Sequence, residues 1–156
     1  MKVLISDKVD TGCVGILEEG GEISVDVNTD LTPDQLLEVI GDYDGLIVRS
    51  ATKVTRDVLD RATRLRAIGR AGAGVDNIDS QEATRRGVVV MNTPGGNSIS
   101  TAEHAVSMMM ALARNIPQAS HSVKGGKWDK SAFIGVEMTG KTLGVFGIGQ
   151  VGREVA

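Results

Sequence analysis

Aromatic side chains are nearly missing from this sequence: two Phe, one Tyr and one Trp in 156 residues. A site that stacks a flavin ring or single-stranded bases is therefore poorly supplied. Cysteine occurs once, as Cys13, so no internal disulfide can form and a cysteine-based zinc site is excluded. No other metal site is expected. Positive charge is not in excess. Lys and Arg number 17 against 20 Asp and Glu, a formal net charge of −3. Nothing is left over to neutralise a phosphate backbone, so no nucleic-acid partner is expected. Long apolar runs are missing too. Val3-Leu4-Ile5 is too short for a secretory h-region, and the stretch from Met108 to Ala113 cannot span a bilayer. No membrane partner is expected, and the expected setting is cytoplasmic and reducing.

The rest of the composition is globular, with 41% hydrophobic and 24% charged residues, which excludes a disordered chain. Glycine is in surplus at 20 residues, nearly double the roughly 7% of average usage. Length alone predicts one domain. The order of elements predicts more. Val3-Leu4-Ile5, Ile23–Val27, Leu46-Ile47-Val48, Ala67-Ile68-Gly69 and Val88–Met91 read as five strands. Helical patterns lie between them. Val9–Glu19 stops at Gly20-Gly21. Thr32-Pro33-Asp34-Gln35 opens a helix with a capping box and proline at its first position, with Leu36, Leu37 and Ile40 on the apolar face. Arg56–Ala62 is a short helix, and Asp79 with Glu82 forms a second capping box before a stop at Gly87. The strands are apolar on both faces, as in a buried parallel sheet. Together these predict an α/β fold: a flavodoxin-like, doubly wound parallel sheet.

The pattern breaks at the turn-rich hinge Thr93-Pro94-Gly95-Gly96-Asn97. Ser100 with Glu103 is expected to cap a longer helix through about Arg114. Ala102, Ala105, Val106, Met108, Met109, Met110, Leu112 and Ala113 cover most of it, leaving a polar stripe of Glu103, Ser107 and Arg114. Such a helix is expected to be buried on several sides, as a core helix or at a subunit interface. Pro117–Gly126 looks helical again, and Lys124–Lys130 reads as a solvated loop around Trp128.

Thr142–Phe146 reads as a strand running into Gly147-Ile148-Gly149-Gln150-Val151-Gly152. A G-x-G-x-x-G run directly after a strand is the start of a Rossmann dinucleotide-binding unit. Gly147 allows the tight turn, Gly149 the approach of a pyrophosphate, and Gly152 close packing of the helix. The other reading is a tight turn without a ligand. Only four residues follow Gly152, and the acidic residue expected about 20 positions on has no place. The sequence is therefore expected to be a piece of a longer protein.

Ligands of open α/β sheets lie at the carboxyl ends of the strands. After the third strand come Arg49, Ser50 and Thr52, a guanidinium and two hydroxyls suited to a carboxylate or phosphate. After the fourth come Arg70, Gly72, Ala73 and Gly74, where small residues leave amides free as an anion nest. The hinge is expected to bring Asn97 to the same edge. The bland alternative is that both arginines pair with local carboxylates. Asp7 follows the first strand, but the receiver-type phosphoacceptor pattern is not met, because Arg49 and Asn92-Thr93 stand where an Asp and a Lys are needed. His104 reads as a packed or capped side chain, His121 lies in a Ser-rich amphipathic stretch, and Cys13 reads as packing. No base is assigned.

Leu46–Thr55, Gly69–Asn77, Met91–Ser98 and Gly140–Ala156 together resemble the D-isomer-specific 2-hydroxyacid dehydrogenases, in particular their phosphoglycerate-oxidising branch. The resemblance runs the length of the chain. It implies oxidation of 3-phospho-D-glycerate with NAD, the first step of serine synthesis. It implies a substrate-binding segment over 1–97 and the beginning of an NAD-binding Rossmann domain over 98–156. Arg49, Ser50, Gly72, Ala73, Gly74 and Asn97 match residues lining the family's substrate cleft. Ala73 stands near the nicotinamide where many members have Thr, which removes a hydroxyl. Gln150-Val151 stand beside the pyrophosphate where many have Arg-Ile, which removes a cation and keeps the amides. The long helix after residue 98 corresponds to part of the family's dimer interface, so a homo-oligomer is expected. The family's catalytic Arg, Glu and His have no counterpart in these residues, so this chain alone is expected to be inactive. Another D-2-hydroxyacid dehydrogenase, or a non-catalytic phospho-acid binding module, are the alternatives.

Overall fold

Five four-residue strands organise the first part of the chain: β1 (Lys2–Ile5), β2 (Ser24–Val27), β3 (Gly45–Val48), β4 (Ala67–Arg70) and β5 (Val89–Asn92). The computed structural model describes residues 1–156 and divides into two units, Met1–Gly96 and Asn97–Ala156. In the first unit all strand pairs are parallel, in the order β2-β1-β3-β4-β5. That is the doubly wound order expected from the alternating pattern.

Leu4, Leu46, Ile68 and Val90 stand in register across four strands. They form one face of the sheet. Helices α2 (Pro33–Val39), α3 (Arg56–Arg61) and α4 (Ser80–Arg85) supply Leu36, Val58, Leu59 and Ala83 to the same core, and Ile40 follows directly after α2. Helix α1 (Gly12–Glu18) buries none of its residues. Burial is deepest on β1 and β3, partial on β4 and least on the edge strands β2 and β5. Val27 on β2 and Val89 and Met91 on β5 are exposed, because an edge strand has one neighbour instead of two.

The capping box of α2 forms as its sequence predicts. Thr32 Oγ1 accepts from Gln35 N–H at 3.3 Å, and Gln35 Oε1 accepts from Thr32 N–H at 2.9 Å. The second box forms only by half. Asp79 Oδ1 accepts from Glu82 N–H at 3.0 Å, but the buried Glu82 carboxylate accepts from Arg85 Nη1 at 2.7 Å and Arg86 Nε at 2.9 Å. Two guanidiniums compete better for a carboxylate than one backbone amide. Arg86 also donates to Leu59 O at 2.7 Å and pairs with Asp60, joining α4 to α3.

The second unit holds α5 (Ser98–Ala113), α6 (Ile116–Lys124), a 3-10 turn at Ser131–Phe133 and α7 (Gln150–Val155). Helix α5 starts two residues before the expected cap. Asn97 is the N-cap residue, without a side-chain cap bond, and Ser100 Oγ donates to Asn97 O at 3.1 Å. Asn115, left-handed at φ +53°, ends the helix, and Pro117 falls in the first turn of the next. Within the chain the core-helix reading is not met. Only Ser98 and Ala102 of α5 are buried, and Leu112 is 78% exposed. Thr142–Phe146 is not a strand. It carries no ladder partner, and the Phe146 ring is fully exposed. A β-strand exists only as part of a ladder, and this run has no neighbour to pair with.

Candidate functional site

The strand order reverses between β1 and β3, so the loops leaving these strands diverge and open a crevice at the carboxyl edge. Asp7, just after β1, lines it. The residue is 5% exposed. Its carboxylate accepts from Arg49 N–H at 2.6 Å, from Thr52 N–H at 3.1 Å and from Thr52 Oγ1 at 2.7 Å. Burial alone raises its pKa. The hydrogen bonds from the Thr52 hydroxyl and from the backbone N–H groups of Arg49, Thr52 and Ala51 outweigh that and hold it below the usual carboxylate value. Ser6 Oγ lies 3.0 Å from Thr52 Oγ1 and extends the network.

Arg49 leaves β3 with its backbone fixed and its side chain exposed. Nη1 donates to Lys8 O at 3.2 Å, and no carboxylate pairs with the guanidinium. Ser50 is exposed beside it. Arg70, at the end of β4, is engaged differently. Its side chain is largely buried, Nε donates to Asn77 Oδ1 at 2.8 Å and to Arg49 O at 3.2 Å, and Nη2 stands 3.9 Å from the exposed Asp76 carboxylate. The Gly72–Gly74 turn follows. Thr93 N–H donates to Gly72 O at 3.0 Å and Asn92 Nδ2 to Ala73 O at 2.6 Å, while the N–H groups of Ala73 and the exposed Gly74 meet no acceptor in the protein. Arg49, Ser50, Arg70, Gly72, Ala73 and Gly74 thus share one edge of the first unit. Asn97 belongs to the second unit, at the start of α5.

The glycine turn of the second unit is built by local necessity. Gly147 has φ +92°, a conformation that side chains avoid, and a Cβ on Gly152 would collide with the Gly147 carbonyl oxygen. Gly149 is the N-cap residue of α7, so the N–H groups of Gln150, Val151 and Gly152 have no partner within the helix and carry partial positive charge. These residues fit a dinucleotide phosphate. His104 and His121 are both exposed in the second unit, so the packed environment expected for His104 is not found; its face of α5 is uncovered.

Sequence reasoning passed over Asp7 and Asn77 as site-building residues. The available signal was an acid directly after β1 in a chain whose β3 ends in Arg49. No helix of the chain is long and apolar enough to cross a membrane.

Residues 3–143 match the family model described as D-isomer specific 2-hydroxyacid dehydrogenase, catalytic domain. Over 155 residues the chain is 55% identical to D-3-phosphoglycerate dehydrogenase of Rattus norvegicus, covering 99% of this chain and 29% of that protein. The chain thus spans less than a third of the length of the curated relatives it matches. A crystal structure of a protein from Thermus thermophilus superposes with a TM-score of 0.91 at 30% identity, over 99% of this chain and 51% of that one. The NAD-dependent formate dehydrogenase of Staphylococcus aureus, solved in complex with NAD, superposes with a TM-score of 0.86 at 26% identity, over 100% and 52%.

Proposed function

This chain belongs to the D-isomer specific 2-hydroxyacid dehydrogenase family, and from that premise we propose that it supplies the substrate-binding segment (1–97) and the opening of the NAD-binding domain (98–156) of an enzyme oxidising 3-phospho-D-glycerate to 3-phosphohydroxypyruvate, the first step of serine biosynthesis in the cytoplasm. The likeness to D-3-phosphoglycerate dehydrogenases supports the substrate. The observation that carries the reading is Arg49: an exposed guanidinium without a carboxylate partner, on a backbone fixed at the crevice of the sheet. It suits the carboxylate or phosphate of the substrate, with the Ser50 hydroxyl and the Ala73 and Gly74 amides as further donors. Arg70 lends its guanidinium along the same turn.

The Gly147, Gly149 and Gly152 backbone with the Gln150 and Val151 amides would hold the pyrophosphate of NAD. When bound, the dinucleotide supplies the hydride acceptor for the substrate's C2–H. General acid–base work needs a titratable group in reach of the reacting hydroxyl. At this edge Asp7 is committed to the β3 loop, and the exposed Asp76 carboxylate lies 3.9 Å from Arg70 Nη2. The catalytic Arg, Glu and His that the family resemblance implies have no counterpart among these 156 residues, so we infer that this chain binds without turnover. The exposed apolar residues of α5, Met108 and Leu112 among them, suit a second copy of the chain.

Calorimetric titration with 3-phosphoglycerate tests the binding. Arg49→Ala should weaken it by about 10- to 100-fold, the worth of a charge-assisted contact. Equal affinity of the variant removes Arg49 from the site, and equal affinity for an unphosphorylated D-2-hydroxy acid favours another member of the family. NADH formation by the purified chain would contradict the absence of turnover.

A further inference from the structure

The four residues Arg49-Ser50-Ala51-Thr52 carry the cation of the proposed site, yet they form neither helix nor strand. A loop of this kind loses precision unless something outside it fixes its backbone. Two side chains do so from opposite sides. On the donor side, the N–H groups of Arg49 and Thr52 and the Thr52 hydroxyl all end on the Asp7 carboxylate. On the acceptor side, Asn77 Nδ2 donates to Arg49 O at 2.9 Å and to Thr52 O at 2.6 Å. The acceptor of the same carboxamide is used as well, since Asn77 Oδ1 takes the Arg70 Nε–H at 2.8 Å. Asn77 is itself locked, because its carbonyl accepts from Val54 N–H at 2.8 Å and Val54 pairs with Ile78 in a parallel bridge.

We propose that Asp7 and Asn77 are positioning residues: one carboxylate and one carboxamide grip the two ends of the 49–52 loop and thereby aim the Arg49 guanidinium, and with it the Arg70 guanidinium, at an anionic ligand. The proposal rests on the reading of Arg49 as the anion-binding cation. The chemistry of the grip is specific. A carboxylate has acceptors only and here receives donors alone, and a carboxamide has both donor and acceptor and uses both. Exchanging either for its isostere reverses a polarity while keeping the volume. Arg70 Nε is tied both to Asn77 Oδ1 and to the Arg49 carbonyl while its Nη atoms run along the Gly72–Gly74 turn, so Asn77 and the Arg49 carbonyl together set the two arginines relative to each other.

The test uses the 156-residue chain and two readouts. Amide hydrogen exchange at Arg49 and Thr52 reads the loop itself. Titration with 3-phosphoglycerate reads its consequence. Asp7→Asn and Asn77→Asp should each speed exchange at Arg49 and Thr52 by about tenfold or more and weaken binding by about tenfold. Thr52→Val should do the same to a smaller degree, and Thr52→Ser, which keeps the hydroxyl, should restore both. A role in stability alone is separated by the double variant. If Asp7 acts through Arg49, then Asp7→Asn added to Arg49→Ala weakens binding no further. Additive losses overturn the proposal, as does unchanged exchange in Asp7→Asn, or faster exchange with undiminished binding. Should Asp7→Asn not fold, the Thr52→Val and Thr52→Ser pair carries the same comparison. If the unaltered chain does not bind 3-phosphoglycerate, the proposed function falls, and the grip on the loop is decided by exchange alone.

Discussion

Leu46-Ile47-Val48 in the first unit and Val145-Phe146 in the second are both short apolar β-formers, and their fates differ. The former is hydrogen-bonded by strands on both sides and sinks into a core. The latter has no ladder, and its ring stands in solvent. The same divergence separates the helices. Helices α2, α3 and α4, six or seven residues long, place Leu36, Val58, Leu59 and Ala83 in the core, while α5, at 16 residues, buries only Ser98 and Ala102. Propensity proposes an element, and neighbours decide whether its apolar surface leaves water.

The comparison can be pressed hardest in the core. Leu46→Ala should cost about 2–5 kcal/mol by urea denaturation, whereas Leu112→Ala in α5 should fall within about 0.5 kcal/mol when measured at dilutions where the chain is a monomer. A large loss at Leu112 would mean that α5 is covered in solution. Acid offers a second handle. Asp7 is held below the usual carboxylate value by hydrogen bonds that together overcome its burial. A lowered folded-state pKa means that the unfolded chain binds the proton first as pH falls. The stabilisation is thus fully present above the unfolded value of about 3.9 and is lost as pH falls through the lower folded value. Urea midpoints measured across that acid range should fall for the unaltered chain and fall less steeply for Asp7→Asn. The smallest contrast is between two caps. Thr32→Ala should cost about 1 kcal/mol, because its bond to the Gln35 amide is made. Ser100→Ala should cost about 0.5 kcal/mol or less, because the cap its spacing predicts is not formed.

Much of the first unit was legible because the information is local. Alternating apolar strands and helices lead to the parallel order, and the Thr32 box needs only four residues. Gly147 and Gly152 were likewise legible, since the turn itself demands them. Arg49 could be picked out because it directly follows a strand. The grip around it could not. Asp7 meets Thr52 across 45 residues and Asn77 meets Arg49 across 28, and no spacing announces either pair. The half-formed box at Glu82 was missed for a related reason: Arg85 and Arg86 compete for the carboxylate that the motif assigns to the backbone. The exposure of α5 was illegible in principle, since composition states what a helix needs covered and not what covers it.

Arg86 has a mechanical consequence. By holding Leu59 O, Asp60 and Glu82 at once, it rivets the end of α3 to α4. The pair is therefore one plank, and thermal opening of either helix must carry the other with it as a single cooperative foldon. Helix α1 has no such rivet and buries nothing, so it is free to fray by itself while the plank stays shut over the sheet.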